Sequence, residues 1–182
     1  MIKPTFIFLL IANYFSITSF SQPIEEKKKA IRKIFQQINK NSALKSYQLE
    51  GEDFLEHATD RGGSLIGYFK SDTLVKITEW IGLSSSNKQF EYYFNKEGLV
   101  FVYAEEQHFK FNDSSQELDY SKPEKVHEGR FYFNNGKIIS SETKGIGKWE
   151  DSKILEQTLV ESADKYLGLL KKRFLTNPPS SH

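Results

Sequence analysis

Tyr132-Phe133-Asn134-Asn135-Gly136-Lys137-Ile138-Ile139 decides the fold. Asn-Gly is the preferred pair for a two-residue type I′ turn, because both central positions need positive φ, and rings and branched aliphatics flank it. The same ungapped phrase occurs at Tyr68 to Val75 (YFKSDTLV) and Tyr93 to Val100 (YFNKEGLV). The three copies predict three hairpins. Counting outward from Asn135-Gly136 pairs Asn134 with Lys137, Phe133 with Ile138 and Tyr132 with Ile139. The same count pairs Phe69 with Leu74 and Phe94 with Leu99. Each Phe–aliphatic pair then shares one face of the sheet, and each Tyr–Val/Ile pair takes the other. Gly98 leaves a second option for its copy, a three-residue turn with a bulge, which moves that register by one residue.

Around these hairpins the sequence alternates with period two. Strands are expected at about 64–70, 73–81, 88–95, 99–107, 108–112, 128–134 and 137–142, with 99–112 alternatively one long bent strand. A short strand around Tyr47 to Leu49 and a helical turn over Asp53 to Ala58 precede them, broken by Gly62-Gly63. Residues 113–126 read as a long polar loop, whose Pro123 keeps its end out of a central strand. In the middle hairpin Leu99, Phe101 and Tyr103 alternate with Val100, Val102 and Ala104, so both faces are apolar and both need cover. Two helices can cover one of them; sheet curvature, a partner chain or a ligand is needed for the other.

The flanking segments change to helical period. From Pro23, Ile24, Ile31, Ile34, Phe35 and Ile38 form one stripe, and Lys27-Lys28-Lys29 reads as a solvated face. From Ser152 to Phe174, Leu155, Leu159, Ala163, Tyr166, Leu167, Leu170 and Phe174 form another. The fold class is therefore α+β: a curved antiparallel sheet of about six strands built from hairpins, flanked by an N-terminal and a C-terminal helix.

Residues 1–21 read as a signal peptide. Lys3 gives the positive start, Phe6 to Ile11 begin the apolar run, and Ser19-Phe20-Ser21 offers the cleavage site. Asn13, Ser16, Thr18 and Ser19 interrupt a stretch already short for a membrane span. The expectation is an exported chain, periplasmic or secreted and soluble after cleavage, with one α+β domain over 22–176 and a disordered tail over 177–182. No cysteine is present to form a disulfide or carry a lipid. Removing Lys3 from the 25 basic residues leaves 24 against 24 acidic ones, which gives no electrostatic case for a nucleic-acid partner.

Candidate chemistry is sparse. Glu52, Asp53, Glu56, His57 and Asp60 cluster in sequence, but one Asp–His pair at i, i+4 is not a metal motif, and no metal or cofactor is expected. Glu106 and His108 lie two apart on one strand face and can act as acid and base. No Gly-x-Ser-x-Gly, no cysteine nucleophile and no phosphate-binding glycine loop occurs. Trp80, Tyr92, Tyr93, Tyr103, Tyr132 and Trp149 offer rings for stacking sugars or peptides. Trp80, Tyr93, Tyr103, His108 and Tyr132 are the candidate ligand-binding set.

Gly62 to Ile77 (GGSLIGYFKSDTLVKI) and Glu91 to Tyr103 (EYYFNKEGLVFVY) resemble a pattern in uncharacterised exported proteins of Gram-negative bacteria. The resemblance implies a signal peptide, a helix and a hairpin-rich antiparallel sheet, and it carries no site. Unequal spacing and missing glycines separate the phrase from MORN-type hairpin repeats. The functional expectation is a non-catalytic envelope protein that binds a protein, peptide or glycan, with a homodimer also open to it. The alternatives are a small periplasmic hydrolase using Glu/His groups and a carrier whose sheet curls around an apolar ligand.

Overall fold

The computed structural model describes residues 21–145 and 152–176. The leader, the tail and Trp149 lie outside the described residues. The helix α1 spans Ser21–Lys40, and β1 (Lys45–Glu50), the single turn α2 (Gly51–Phe54), β2 (Gly63–Lys70), β3 (Thr73–Gly82) and β4 (Ser86–Asn95) follow. Then come β5 (Gly98–Asn112), β6 (Glu117–Asn134), β7 (Lys137–Gly145) and α3 (Ser152–Thr176). The seven strands form one antiparallel sheet in sequence order, open, with β1 and β7 at its edges. The expected short strand at Tyr47 is a full member, which accounts for the seventh strand.

All three hairpin cores carry the expected turn pairs: Phe69 opposite Leu74, Phe94 opposite Leu99, and Phe133 opposite Ile138. Positive φ falls on Ser71 in the first turn, on Gly98 in the second and on Asn135 and Gly136 in the third. One residue further out the expected register fails in every copy. Tyr68 faces Lys76 rather than Val75, Tyr93 faces Phe101 rather than Val100, and Tyr132 faces Ser140 rather than Ile139. The last residue of the phrase is therefore the extra residue of a β-bulge. On β5 this breaks the predicted alternation. Val100 and Phe101 both join the tyrosine side, whereas Leu99, Val102 and Ala104 pack on the phenylalanine side.

The helices divide these faces between them. α3 covers the phenylalanine face, where its Leu159, Ala163, Tyr166, Leu170 and Phe174 are buried against Phe69, Leu74, Ile77, Phe94, Phe131 and Phe133. Phe69 and Phe174 stack with centroids 3.9 Å apart. α1 covers the tyrosine face, packing Ile31, Ile34, Phe35 and Ile38 on Tyr93, Val100, Phe101 and Tyr132. The expectation that both helices share one face is corrected: the domain has three layers, helix, sheet and helix, and the sheet does not close around a cavity. The chemistry of the two faces explains the division. The phenols of Tyr93 and Tyr132 need polar partners, and α1 supplies Asn39 Nδ2 at 2.9 Å from Tyr93 Oη and Arg32 Nε at 3.2 Å from Tyr132 Oη.

Two further expectations are revised. Residues 117–126 are strand, not loop: β5 and β6 run on as a two-stranded ribbon past His108, where β4 ends, and past His127, where β7 ends. Pro123 is accommodated because Tyr120 to Pro123 are extra residues opposite Phe109, where no ladder hydrogen bond from proline is required. The Arg61 guanidinium anchors the ribbon's base, 4.5 Å from the Phe109 ring centroid and 4.9 Å from that of Tyr120. In α1, Lys27 and Lys29 are exposed as expected, but Lys28 is buried, with Nζ 2.9 Å from Glu142 and 5.3 Å from the Tyr132 ring centroid.

Candidate binding groove

α1 leaves part of the tyrosine face uncovered, and a groove of about 310 Å³ opens there. Ile31, Arg32, Phe35 and Gln36 form its helical wall, at the i and i+4 spacing that places residues on one side of a helix. Phe101 and Tyr103 on β5, with Arg130 and Tyr132 on β6, form its sheet wall. The sheet residues are a two-by-two patch, because Phe101 lies opposite Tyr132 and Tyr103 opposite Arg130. The rings are mutually supported: Phe35 meets Phe101 edge-on at 5.6 Å, and Phe101 lies 5.1 Å from Tyr132. Both guanidiniums lie over rings, Arg32 5.6 Å from Tyr132 and Arg130 5.5 Å from Tyr103.

A charged network holds these groups in place. The Tyr103 hydroxyl donates to Glu105 Oε2 at 2.7 Å and accepts from Lys125 Nζ at 3.0 Å. Burial first, and then the neighbouring carboxylates, push its phenol up to about 12. Burial alone would raise Glu105, but hydrogen bonds from Lys125, Tyr103 and Gln107 outweigh it and hold the carboxyl below its ordinary value. Glu128 is held low in the same way by Lys125 and Arg130, the latter ion-paired to it. Arg32 Nη2 pairs with Glu142 at 3.2 Å, and Glu142 is lowered chiefly by its hydrogen bond from Lys28.

Two of the five sequence candidates, Tyr103 and Tyr132, meet in this groove. Tyr93 is fully buried under α1, donating to Glu91 Oε2 at 2.5 Å, and does not line the groove. Tyr132, 2 % exposed, is nearly as buried, so Tyr103 is the one of these three that presents its ring to the groove. Trp80 lines a separate, open depression with Leu55, Glu56, His57, Thr59 and Arg61. His108 is exposed, with Nε2 3.0 Å from Glu106 Oε1, and it lines neither of these two grooves. Of the Glu52–Asp60 cluster, Glu52, Glu56 and His57 line the same depression as Trp80, with Glu56 paired to Lys165, whereas Asp53 pairs with Arg173 and Asp60 accepts from Ser84. No group of three or more potential metal-ligating side chains occurs among the described residues.

The sequence reading missed Arg32, Phe35, Gln36, Phe101 and Arg130 as groove residues. Signals for three of them were present: Lys28, Arg32 and Gln36 recur at i, i+4 beside the apolar stripe, and Glu128, Arg130 and Tyr132 alternate on one strand face. Family models, curated proteins and solved structures were compared with the chain, and none matches.

Proposed function

We propose that this chain is an exported, non-catalytic protein of the cell envelope that binds a peptide, protein or glycan partner in the groove between α1 and the β5–β6 strands. The observation that carries the reading is the convergence of four ring or guanidinium groups, Tyr103, Tyr132, Arg32 and Arg130, on a concave site with a phenylalanine floor. Aromatic and arginine side chains in a concave, half-desolvated setting dominate the energetics of recognition surfaces. Export rests on the apolar leader, and among the described residues no helix is long and apolar enough to cross a membrane. The Glu106–His108 pair, its histidine exposed and its glutamate half-buried, lines neither this groove nor the Trp80 depression, which gives a hydrolase reading at that pair less to work with.

The test is a photo-crosslinking residue placed at Gln36 on the groove wall, with exposed Lys171 on α3 as the control site, in a Gram-negative host exporting the chain. Adducts from position 36 that exceed those from position 171 support the reading, and their masses also reveal a second copy if one docks there. Equal or absent adducts overturn it. Sequencing the recovered chain's first residue checks cleavage near Gln22.

A further inference from the structure

Resting on that binding reading, we infer that the groove takes the C-terminal residue of a peptide, with an aromatic side chain on the ring floor and its free carboxylate on Arg32 and Arg130. At about 310 Å³ the space lies at the low end of small-ligand sites, enough for a single ring-bearing residue. The rings it offers are those of Phe35 and Tyr103, both half-buried on its two walls, while Phe101 and Tyr132 lie packed beneath them, 5.1 Å from each other, and keep the floor apolar.

Charge selects the rest of the ligand. Among the described residues the only charged side chains lining the groove are the two arginines, while their carboxylate partners Glu142 and Glu128 stand outside the lining. Neither guanidinium is saturated. Among the described residues Arg32 uses Nε and Nη2, leaving Nη1, and Arg130 uses Nη1, leaving Nε and Nη2. Arginine carries five N–H donors in a planar fork that matches a carboxylate, so each can hold a second anion beside the first. A sugar ring would need amide and carboxylate groups around its hydroxyls, and Gln36 is the only such side chain in the lining among the described residues.

The test titrates the exported chain with N-acetylphenylalanine, its C-terminal amide and N-acetylglucosamine, followed by amide chemical shifts of Phe101, Tyr103 and Arg130. The acid is expected to bind with a Kd of about 1 mM, a value set by its small size, and the amide about tenfold or more weaker. Arg32→Gln and Arg130→Gln should each weaken the acid about tenfold and leave the amide within about twofold. The ratio between the two probes is the readout, because damage to the fold would weaken both alike. Acid and amide binding equally, or the sugar binding better than either, overturns the carboxylate inference while leaving a ligand in the groove. No shift with any probe up to about 10 mM overturns the inference too. The adduct at position 36 then decides the binding reading separately.

Discussion

Replacing Tyr166 by phenylalanine isolates one hydrogen bond in the core beneath α3. Glu79 is 4 % exposed, and its two oxygens accept from Tyr166 Oη at 2.6 Å and Tyr92 Oη at 3.0 Å. Around it stand Ser162, hydrogen-bonded to Tyr92, and Lys165, itself paired with Glu56 at 3.5 Å. Burial raises the Glu79 carboxyl above its ordinary value, and the two phenols offset only part of that. A raised value in the folded state means the fold holds this proton more tightly than the unfolded chain does. The contribution of Glu79 is therefore full in acid and is lost as pH climbs from about 4.3, the free glutamate value, to the raised one.

Tyr166→Phe keeps the ring, which lies 5.9 Å from Phe54 and 6.1 Å from Tyr92, and removes only the donor to Oε1. Above the window the carboxylate loses a charge-assisted bond worth about 1.5–3 kcal/mol. Near pH 4 the protonated group loses a neutral bond worth about 0.5–1.5 kcal/mol. Urea unfolding followed by tryptophan fluorescence should give a deficit of about 2 kcal/mol near pH 7.5 and about half that near pH 4. Equal deficits at the two pH values, or one below about 0.5 kcal/mol near pH 7.5, would refute the buried-carboxylate reasoning.

Phe174→Ala removes the ring stacked on Phe69 and is expected to cost about 3–5 kcal/mol in the same unfolding assay, against about 0.5 kcal/mol or less for Phe111→Ala, whose side chain is exposed. Gly145 has φ +93°, and a Cβ there would stand 1.9 Å from the Val126 carbonyl oxygen. Gly145→Ala should therefore lower the thermal midpoint further than Gly136→Ala, where φ is also positive but the space is open. Lys28→Ala strips a buried stem and the 2.9 Å pair with Glu142, and should cost about 1 kcal/mol. Lys29→Ala, on the exposed side of α1, should leave the urea midpoint unchanged.

The elements most legible in the sequence are those whose pattern is repeated many times over. The α3 stripe from Leu155 to Phe174 holds position by position, since a helix lying on a sheet shows one continuous apolar face. The turn pair of the third hairpin holds because Asn-Gly dictates its own geometry, and the other two follow the same count across Ser71-Asp72 and Lys96-Glu97. The bulge one residue beyond each turn is invisible to period-two counting, which assumes one residue opposite one. That single extra residue moved Phe101 to the tyrosine face and into the groove. The ribbon at 117–126 was hidden by its polarity, because a two-stranded extension without a third neighbour buries little and needs no apolar alternation. As for the site, Tyr103 and Tyr132 were legible as rings on strands, whereas Arg32 and Arg130 stood in readable series whose convergence was not. Their role comes from a helix and a strand a hundred residues apart meeting edge to edge.

Because every strand pairs only with its neighbours in sequence, the ladder from β2 to β7 can grow by successive short loop closures, each bringing together residues a few positions apart. Among the described residues the longest closures are those of the two helices, which dock onto opposite faces of the sheet. The kinetic nucleus is thus expected among the hairpins, with helix docking later. Weakening the Phe69–Phe174 stack should speed unfolding and leave the refolding rate nearly untouched, whereas replacing Asn135-Gly136 should slow refolding itself.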